Sequence, residues 1–480
     1  MMPIDETRAA LSTVDQDHLL AFASELSAEE RASLLNQIAS LDVAKIPSLV
    51  SRYVRNKPVF ELPAGIDAAS YYPAHPDDAV RPYDAATFRE AGESALRRGE
   101  VACFTVAGGQ GSRLGYDGPK GCFPAGAVTK KSLFEIFAEG VLATGRKYGT
   151  AVPWYVMTSP LNHEATVAFF REHRYFGLDP ADVMFFPQGT MPSFDMASGK
   201  ILLAAKHEIA TNPDGHGGSL TALHTSGALE DMTKRGIEHI SYFQVDNTNV
   251  KVADPLVLGL HAAAPDSSGE LSSKMLPKAY PEEKLGLFAT ADTPHGTRVC
   301  VIEYSDMPME LQRETLPDGR LRFLAGSPAI HVFGRAFVEK VNTDTHFELP
   351  YHRAEKKVAC IDAETGEKVS PSSPNGVKLE RFVFDALPLA EQSIILETSR
   401  VEEFAPIKNA EGADSAESSA RLQTQKAAGW LEAVGVRVPK KDDGSPDCVL
   451  EISPLTALEP ADLKKADLPA VIEPGARLAL

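Results

Sequence analysis

Residues 106–124 read Val-Ala-Gly-Gly-Gln-Gly-Ser-Arg-Leu-Gly-Tyr-Asp-Gly-Pro-Lys-Gly-Cys-Phe-Pro and follow directly on the apolar run Val101-Ala-Cys-Phe-Thr. Gly108, Gly109 and Gly111 lack the Cβ that would keep a phosphate away from backbone N–H groups. Arg113 and Lys120 add two cations seven residues apart, as a polyphosphate requires. The loop therefore suits the cradling of a triphosphate with its countercharges built in. Gly109 to Gly115 also fits the GxGxxxG spacing of a dinucleotide loop, but the next apolar run, Pro153-Trp-Tyr-Val-Met-Thr-Ser159, ends without the acidic residue that holds a ribose. A Walker A loop is excluded because no Gly-Lys-Ser/Thr follows the glycines. Asp246 closes a further apolar run, His239-Ile-Ser-Tyr-Phe-Gln-Val245, where a carboxylate can meet Mg²⁺ outside a sheet.

These residues must be positioned by the elements around them. Apolar runs alternate with helical patterns: 101–106 as strand, 132–149 as helix opened by Ser132 with Glu135 three residues on, 153–159 as strand, 162–178 as helix, then strands near 183–187 and 239–245. That alternation predicts a mainly parallel α/β sheet with its chemistry in the loops after the strands. From Glu270 to Val383, short alternating segments with turn signals predict antiparallel strands added to that sheet. Phe382 and Phe384 are expected on one face of such a strand at period two. At the N-terminus, Leu34, Leu35, Ile38 and Leu41 recur at helical spacing behind a capping box, Ser27 to Glu30. Residues 53–83 read as an ordered connector rich in proline and aromatics, and Glu411 to Ala420 as a mobile surface loop. The expected organisation is a helical N-terminal domain over 1–95, a catalytic domain over 96–404 and a small C-terminal α+β domain over 405–480.

The 480 residues carry 48 Lys plus Arg against 66 Asp plus Glu, a formal charge of −18. An acidic surface argues against binding nucleic acid or anionic membrane. Five cysteines, widely separated and in no zinc-ligand spacing, read as reduced thiols. No run of about 18 apolar residues occurs and the first residues lack the order of a signal peptide, so a cytoplasmic location is expected. No GxSxG elbow is present, and His346, Glu348 and His352 read as a loop rather than a metal site. The residues do not specify an oligomeric state.

The run Gly108-Gly-Gln-Gly-Ser-Arg-Leu-Gly115 with Pro119-Lys-Gly121 resembles the signature of the UDP-N-acetylhexosamine pyrophosphorylase branch of the eukaryotic-type UDP-sugar pyrophosphorylases. Further blocks match in family order, among them Gln188-Gly-Thr-Met-Pro192, Asn212-Pro-Asp-Gly-His-Gly-Gly218, Val245-Asp-Asn247, Val301-Ile-Glu-Tyr-Ser305, Pro374-Asn-Gly-Val-Lys378, Glu380-Arg-Phe-Val-Phe-Asp385 and Phe404-Ala-Pro-Ile-Lys-Asn409. The resemblance spans roughly 101–455. It implies a Rossmann-like mixed-sheet nucleotidyltransferase core that joins UTP and a sugar 1-phosphate into UDP-sugar and pyrophosphate, with Mg²⁺ or Mn²⁺ as cofactor. Arg113 would hold the leaving pyrophosphate, Lys120 would offset charge on the phosphates, and Lys408 would reach them from the start of the C-terminal region, which must then close over the core before turnover. Gln188, with Gly108, Gly109, Gly111 and Gly215, would bind the nucleotide, and Asp246 the metal. Glu303 and Gly286 would face the sugar hydroxyls, and Phe382, Phe384 and Lys378 the N-acetyl pocket and its rim.

Two departures fall in the sugar pocket. His216 stands where the N-acetylhexosamine enzymes usually have Asn, and Ser327 replaces the Asn of their Ala-Gly-Asn. His216 favours a hexose without the acetamido group, and Ser327 removes an amide, which leaves GlcNAc, GalNAc, glucose and galactose 1-phosphates open. A non-catalytic UDP-sugar-binding regulator is the reading from outside the enzymes.

Overall fold

The first core strand, β1 (Val101–Val106), is buried along almost its whole length, and its neighbours are the other apolar runs. A computed structural model describes residues 3–344 and 347–480. β2 (Trp154–Thr158), β3 (Val183–Pro187) and β4 (His239–Gln244) lie parallel to β1 in the order β3-β2-β1-β4. Gln244 is in register with Val106, so β1 and β4 release their loops at the same level. Burial on both faces explains why these strands read as continuous apolar runs rather than alternating ones.

Antiparallel strands extend the sheet beyond β4. They are β5 (Leu271–Pro277), β6 (Leu287–Thr293), β7 (Gly296–Ile302), β8 (Ala325–Gly326) and β9 (His331–Gly334). β9 pairs with β4 and β5, and β8 with β5 and β6, in a mixed sheet of 11 strands. The expected antiparallel addition holds as far as β9. Strands 352–356 and 376–380 instead form a separate three-stranded sheet with 194–195.

Helices cover the parallel strands. α1 (Leu133–Tyr148) is capped by Ser132, whose hydroxyl accepts from Glu135 N–H, and ends at Gly149 with φ 75°. Its Leu133, Phe134, Phe137 and Val141 enter the core shared with Val101, Cys103 and Trp154. α2 (His163–Glu172) follows β2, and α3 (Pro255–Ala263) follows the loop after β4.

The chain divides into two units, Met1–Glu61 with Gly189–Gly218 and Glu348–Asp385, and Leu62–Gln188 with Ser219–Phe347 and Ala386–Leu480. This partition cuts across the expected boundaries at 95 and 404. In the first unit, helix Ala28–Ala39 carries the predicted Ser27–Glu30 capping box. Its Leu34, Leu35 and Ile38 pack with Phe194, Ile201, Val377 and Leu379, which explains why the N-terminal helices share a unit with later strands. In the second unit, α4 (Ala416–Ala433) builds a C-terminal cluster of Trp430, Leu431, Leu450, Leu463 and Ile472.

The stretch 411–420 differs from the expected loop. Ser415 and Ser418 form a reciprocal cap, and the helix begins at Ala416. Small polar residues conceal that start, because the first residues the helix buries are Ser419, Gln423 and Thr424, and its first buried apolar residue is Ala427. The five cysteines are free thiols. Among the described residues no helix is long and apolar enough to cross a membrane.

Candidate active site

The glycine-rich loop leaves the end of β1 and folds back on itself. Gly111 N–H donates to Gly118 O at 2.9 Å and Tyr116 N–H to Gly111 O at 3.1 Å. A Cβ at Gly121 would stand 2.1 Å from the Phe134 ring, so only glycine lets the Pro-Lys-Gly turn sit on α1. At Gly109 a Cβ would meet nothing nearer than Lys120 Cδ at 3.8 Å, which leaves that backbone open on the side of the lysine. Arg113 is exposed on the same loop, on a short 3₁₀ turn, Ser112–Leu114.

Buried Asn162, at the start of α2, secures the loop from below. Its amide donates to Ala107 O at 3.0 Å and Gly109 O at 3.2 Å. Sequence reasoning missed this residue, since an Asn before a helix reads as an ordinary cap. Gln188, just past β3, is held by its N–H to Thr158 O at 2.8 Å. Its side-chain nitrogen would lie 2.9 Å from a Cβ on Gly108, so the expected nucleotide residues Gln188 and Gly108 are in contact range.

Lys120 and Asp246 meet. Lys120 Nζ lies 3.1 Å from Asp246 Oδ2, and both side chains are mostly buried, 15% and 12% exposed. Burial alone would raise the Asp246 carboxyl, but the ammonium groups of Lys120 and Lys408 outweigh it and hold the acid below its ordinary value. The chain bearing Lys408 is stitched to this loop. Ile407 N–H donates to Asp246 O at 2.9 Å, and the buried Asn247 amide donates to Glu403 O at 2.6 Å and accepts from Ala405 N–H at 2.9 Å. Asn247 is a second residue whose role the sequence did not reveal.

Among the described residues no group of three or more His, Cys, Asp or Glu is placed to hold a metal. A single ionised carboxylate at the loop fits Mg²⁺, which typically takes one or two carboxylates and completes its shell with substrate phosphates and water. Asp246 would be the protein ligand.

Three of the expected sugar residues converge at one end of the antiparallel strands. Gly286 precedes β6, Glu303 follows β7 and Ser327 follows β8; Leu287 is in register with both Ile302 and Gly326. Ser327 N–H donates to Gly286 O at 2.8 Å, and a Cβ on Gly286 would lie 3.2 Å from Glu303 Oε1.

The remaining ones lie together in the first unit. His216 stacks on Phe382 with centroids 5.1 Å apart and planes at 13°, and lies 5.8 Å from Phe384. Its Nδ1 accepts from Val383 N–H at 3.2 Å, so the neutral ring carries its proton on Nε2. Burial, with the positive field of His352 behind it, pushes His216 down to about 4. Phe382 and Phe384 are not on a strand: the strand ends at Glu380, and Phe384 falls in a 3₁₀ segment, Val383–Leu389. The two rings lie 5.2 Å apart, tilted by 45°, and His352 stacks on Phe382 at 4.1 Å.

Gly215 has φ +84°, and a Cβ there would stand 2.3 Å from Arg381 O, so the turn before His216 requires glycine. An Asp214–Arg381 ion pair locks the same turn. Lys378 is half-buried on the strand, opposite Ala354. His352 engages Asp385 at 2.8 Å and Glu348 engages Lys45, so neither belongs to a metal cluster; His346 lies outside the described residues.

A family model for UTP–glucose-1-phosphate uridylyltransferase (UDPGP) matches residues 48–426. The chain is 36% identical to human UDP-N-acetylhexosamine pyrophosphorylase-like protein 1, over 94% of this chain and 92% of that protein. It is 33% identical to the UDP-N-acetylglucosamine pyrophosphorylase of Saccharomyces cerevisiae, over 90% and 92%. The fold is similar to a solved structure of the uridine diphosphate N-acetylglucosamine pyrophosphorylase of Trypanosoma brucei in complex with inhibitor, with TM-score 0.80, 26% identity and 98% coverage of both chains.

Proposed function

The chain belongs to the UDPGP family of uridylyltransferases, which make a UDP-sugar and pyrophosphate from UTP and a sugar 1-phosphate, and from that premise we propose how its residues divide the work and which sugar they take. A phosphate oxygen of the sugar 1-phosphate attacks the α-phosphorus of UTP, the P–O bond to the β-phosphate breaks in line, and pyrophosphate leaves. The nucleophile is already ionised at neutral pH, so the protein supplies position and countercharge rather than a general base.

The Lys120–Asp246 pair is the observation that carries this reading. It sets a cation and an anion side by side, 3.1 Å apart, at the mouth of the glycine-rich loop. Lys120 and Lys408 neutralise charge that grows on the phosphates, and Arg113, exposed on the loop, takes the departing pyrophosphate. Asp246 would hold Mg²⁺, which supplies charge neutralisation across the phosphates when bound. Gln188, beside Gly108, presents an amide donor and acceptor suited to a uracil edge.

For the sugar, the curated relatives favour an N-acetylhexosamine 1-phosphate. His216 and Ser327 support a second reading, a hexose 1-phosphate, because they replace the two amides expected around an acetamido group. Pyrophosphate release from UTP and Mg²⁺ with GlcNAc, GalNAc, glucose and galactose 1-phosphates decides between them. Turnover preferring GlcNAc or GalNAc 1-phosphate supports the first reading and glucose or galactose 1-phosphate the second. Silence with every sugar, alongside measurable UDP-sugar binding, overturns both in favour of a non-catalytic binding protein.

A further inference from the structure

Behind the Asp246 loop lies a cavity of about 130 Å³ that the reaction does not use. Its walls come from α1, from residues 248–255, from α4 and from the segment 451–459. A benzene ring takes a cavity of about 150 Å³, so this one suits an apolar body smaller than that ring. Much of the lining is apolar, with Phe137, Val252, Ala427 and Trp430 among it. The charges set into these walls are unequally matched.

The acids are engaged. Glu139 accepts from Lys131 and from Ser453. Glu451 accepts from the N–H groups of Val128 and Thr129 and from the Thr129 hydroxyl. Glu459 is paired with Arg89 and Lys147, and Asp254 with Lys274. Lys251 leans towards Glu403 at 3.9 Å.

Lys426 is different. Its ammonium donates to a neutral acceptor, Asn249 O, at 3.1 Å and lies 5.0 Å from the Trp430 ring centroid. An ammonium has three donors, and a carbonyl and a ring face offset its charge far less than a carboxylate does. Neither nearby acid forms an ion pair with it among the described residues: Glu402 accepts the Trp430 indole N–H at 3.0 Å, and Glu403 accepts from Lys274 through Oε1 at 2.5 Å, its Oε2 having no hydrogen-bond partner. Burial, reinforced by the adjacent ammonium of Lys251, pushes Lys426 down to about 8, against the pull of Glu402 and Glu403. A cation held this way gains from an anion brought into the cavity.

We propose that this cavity is a second ligand site, for a small organic carboxylate whose charged end meets Lys426 and whose apolar body, smaller than a six-membered ring, lies against Phe137, Val252 and Trp430. The site is joined to the reacting centre by covalent and hydrogen-bonded neighbours. Asn249, the partner of Lys426, is three residues from Asp246, and Thr248 accepts or donates at Ser419 on α4 while its hydroxyl reaches Ala405 O at 3.1 Å. An occupant therefore bears on the loop of Asp246 and on the segment that carries Lys408.

The test uses the full chain with isobutyrate and its neutral isostere isobutyramide. Isobutyrate is expected to raise the melting temperature saturably and to shield Lys426 from reductive methylation, read by mass spectrometry, with isobutyramide at least about tenfold weaker. Lys426→Met is expected to abolish the isobutyrate response and Lys426→Arg to keep it. Equal responses to isobutyrate and isobutyramide, an unshielded Lys426, or an undiminished response in Lys426→Met would overturn the proposal. If Lys426→Met does not fold, the shielding measured in the unaltered chain decides alone.

Discussion

Lys120 Nζ stands 3.1 Å from Asp246 Oδ2 although 126 residues separate the two in the chain. The contact exists because β1 and β4 are neighbours in exact register, so the loops that follow them face each other. In this position the lysine favours the ionised form of the carboxylate.

On the proposed role, replacing that lysine removes a countercharge at the reacting phosphates. Lys120→Ala is expected to lower kcat by about 10²–10³ while leaving the circular dichroism spectrum unchanged, the range for deleting one preorganised donor. Pyrophosphate release under saturating UTP measures it. A fall of less than about threefold would remove Lys120 from the chemistry.

Sugar preference should move with the two residues that depart from the family pattern. His216→Asn combined with Ser327→Asn is expected to raise the ratio of kcat/KM for GlcNAc 1-phosphate over glucose 1-phosphate, by about tenfold if each amide gains one hydrogen bond to the acetamido group. An unchanged ratio in the double variant would separate these positions from specificity.

The stacked His216 also predicts an acid-sensitive stability. Its folded value is depressed to about 4 from 6.5, so between those limits the unfolded chain binds more protons. Stability that is present above pH 6.5 is therefore lost as pH falls towards about 4, at up to about 1 kcal/mol per pH unit for this group. Urea midpoints at pH 7, 6 and 5 should fall more steeply for the parent chain than for His216→Asn. Parallel curves would show that the ring titrates normally.

Lys274 is 1% exposed and pairs with both Asp254 and Glu403 at 2.5 Å. Lys274→Met leaves two carboxylates buried together with only Lys251, 3.9 Å from Glu403, as a nearby cation, at an expected cost of about 3–5 kcal/mol. Denaturation in urea measures the loss. A cost below about 1 kcal/mol would mean that Lys251 or water compensates them.

What could be read from the chain was local. The glycines, Arg113 and Lys120 lie within one short stretch, so their chemistry is contiguous in sequence, and the caps at Ser27 and Ser132 are three-residue patterns. The apolar runs of β1 to β4 carry their own burial. Contacts made at long range left less trace. Phe382 is placed by stacking with His216 and His352, and Phe384 by tilted contacts with Phe382 and His216, rather than by a strand, and two aromatics at period two cannot announce that. Asn162 and Asn247 act through short side chains on distant carbonyls, with no periodicity to mark them. The start of α4 at Ala416 was masked because its first turn is polar and its buried face begins only at Ser419 and Gln423.

The loops at the ends of β1 and β4 leave neighbouring strands in register, whereas Lys408 arrives on a limb fastened by Asn247, by the main-chain bond at Ile407 and by the hydroxyls of Thr248 and Ser419 on Ala405 O. One short amide thus anchors that limb at two backbone positions, Glu403 and Ala405. Shortening Asn247 would accordingly free both at once, and the chain leading to Lys408 would lose its tie to the Asp246 loop from a residue that is itself neutral.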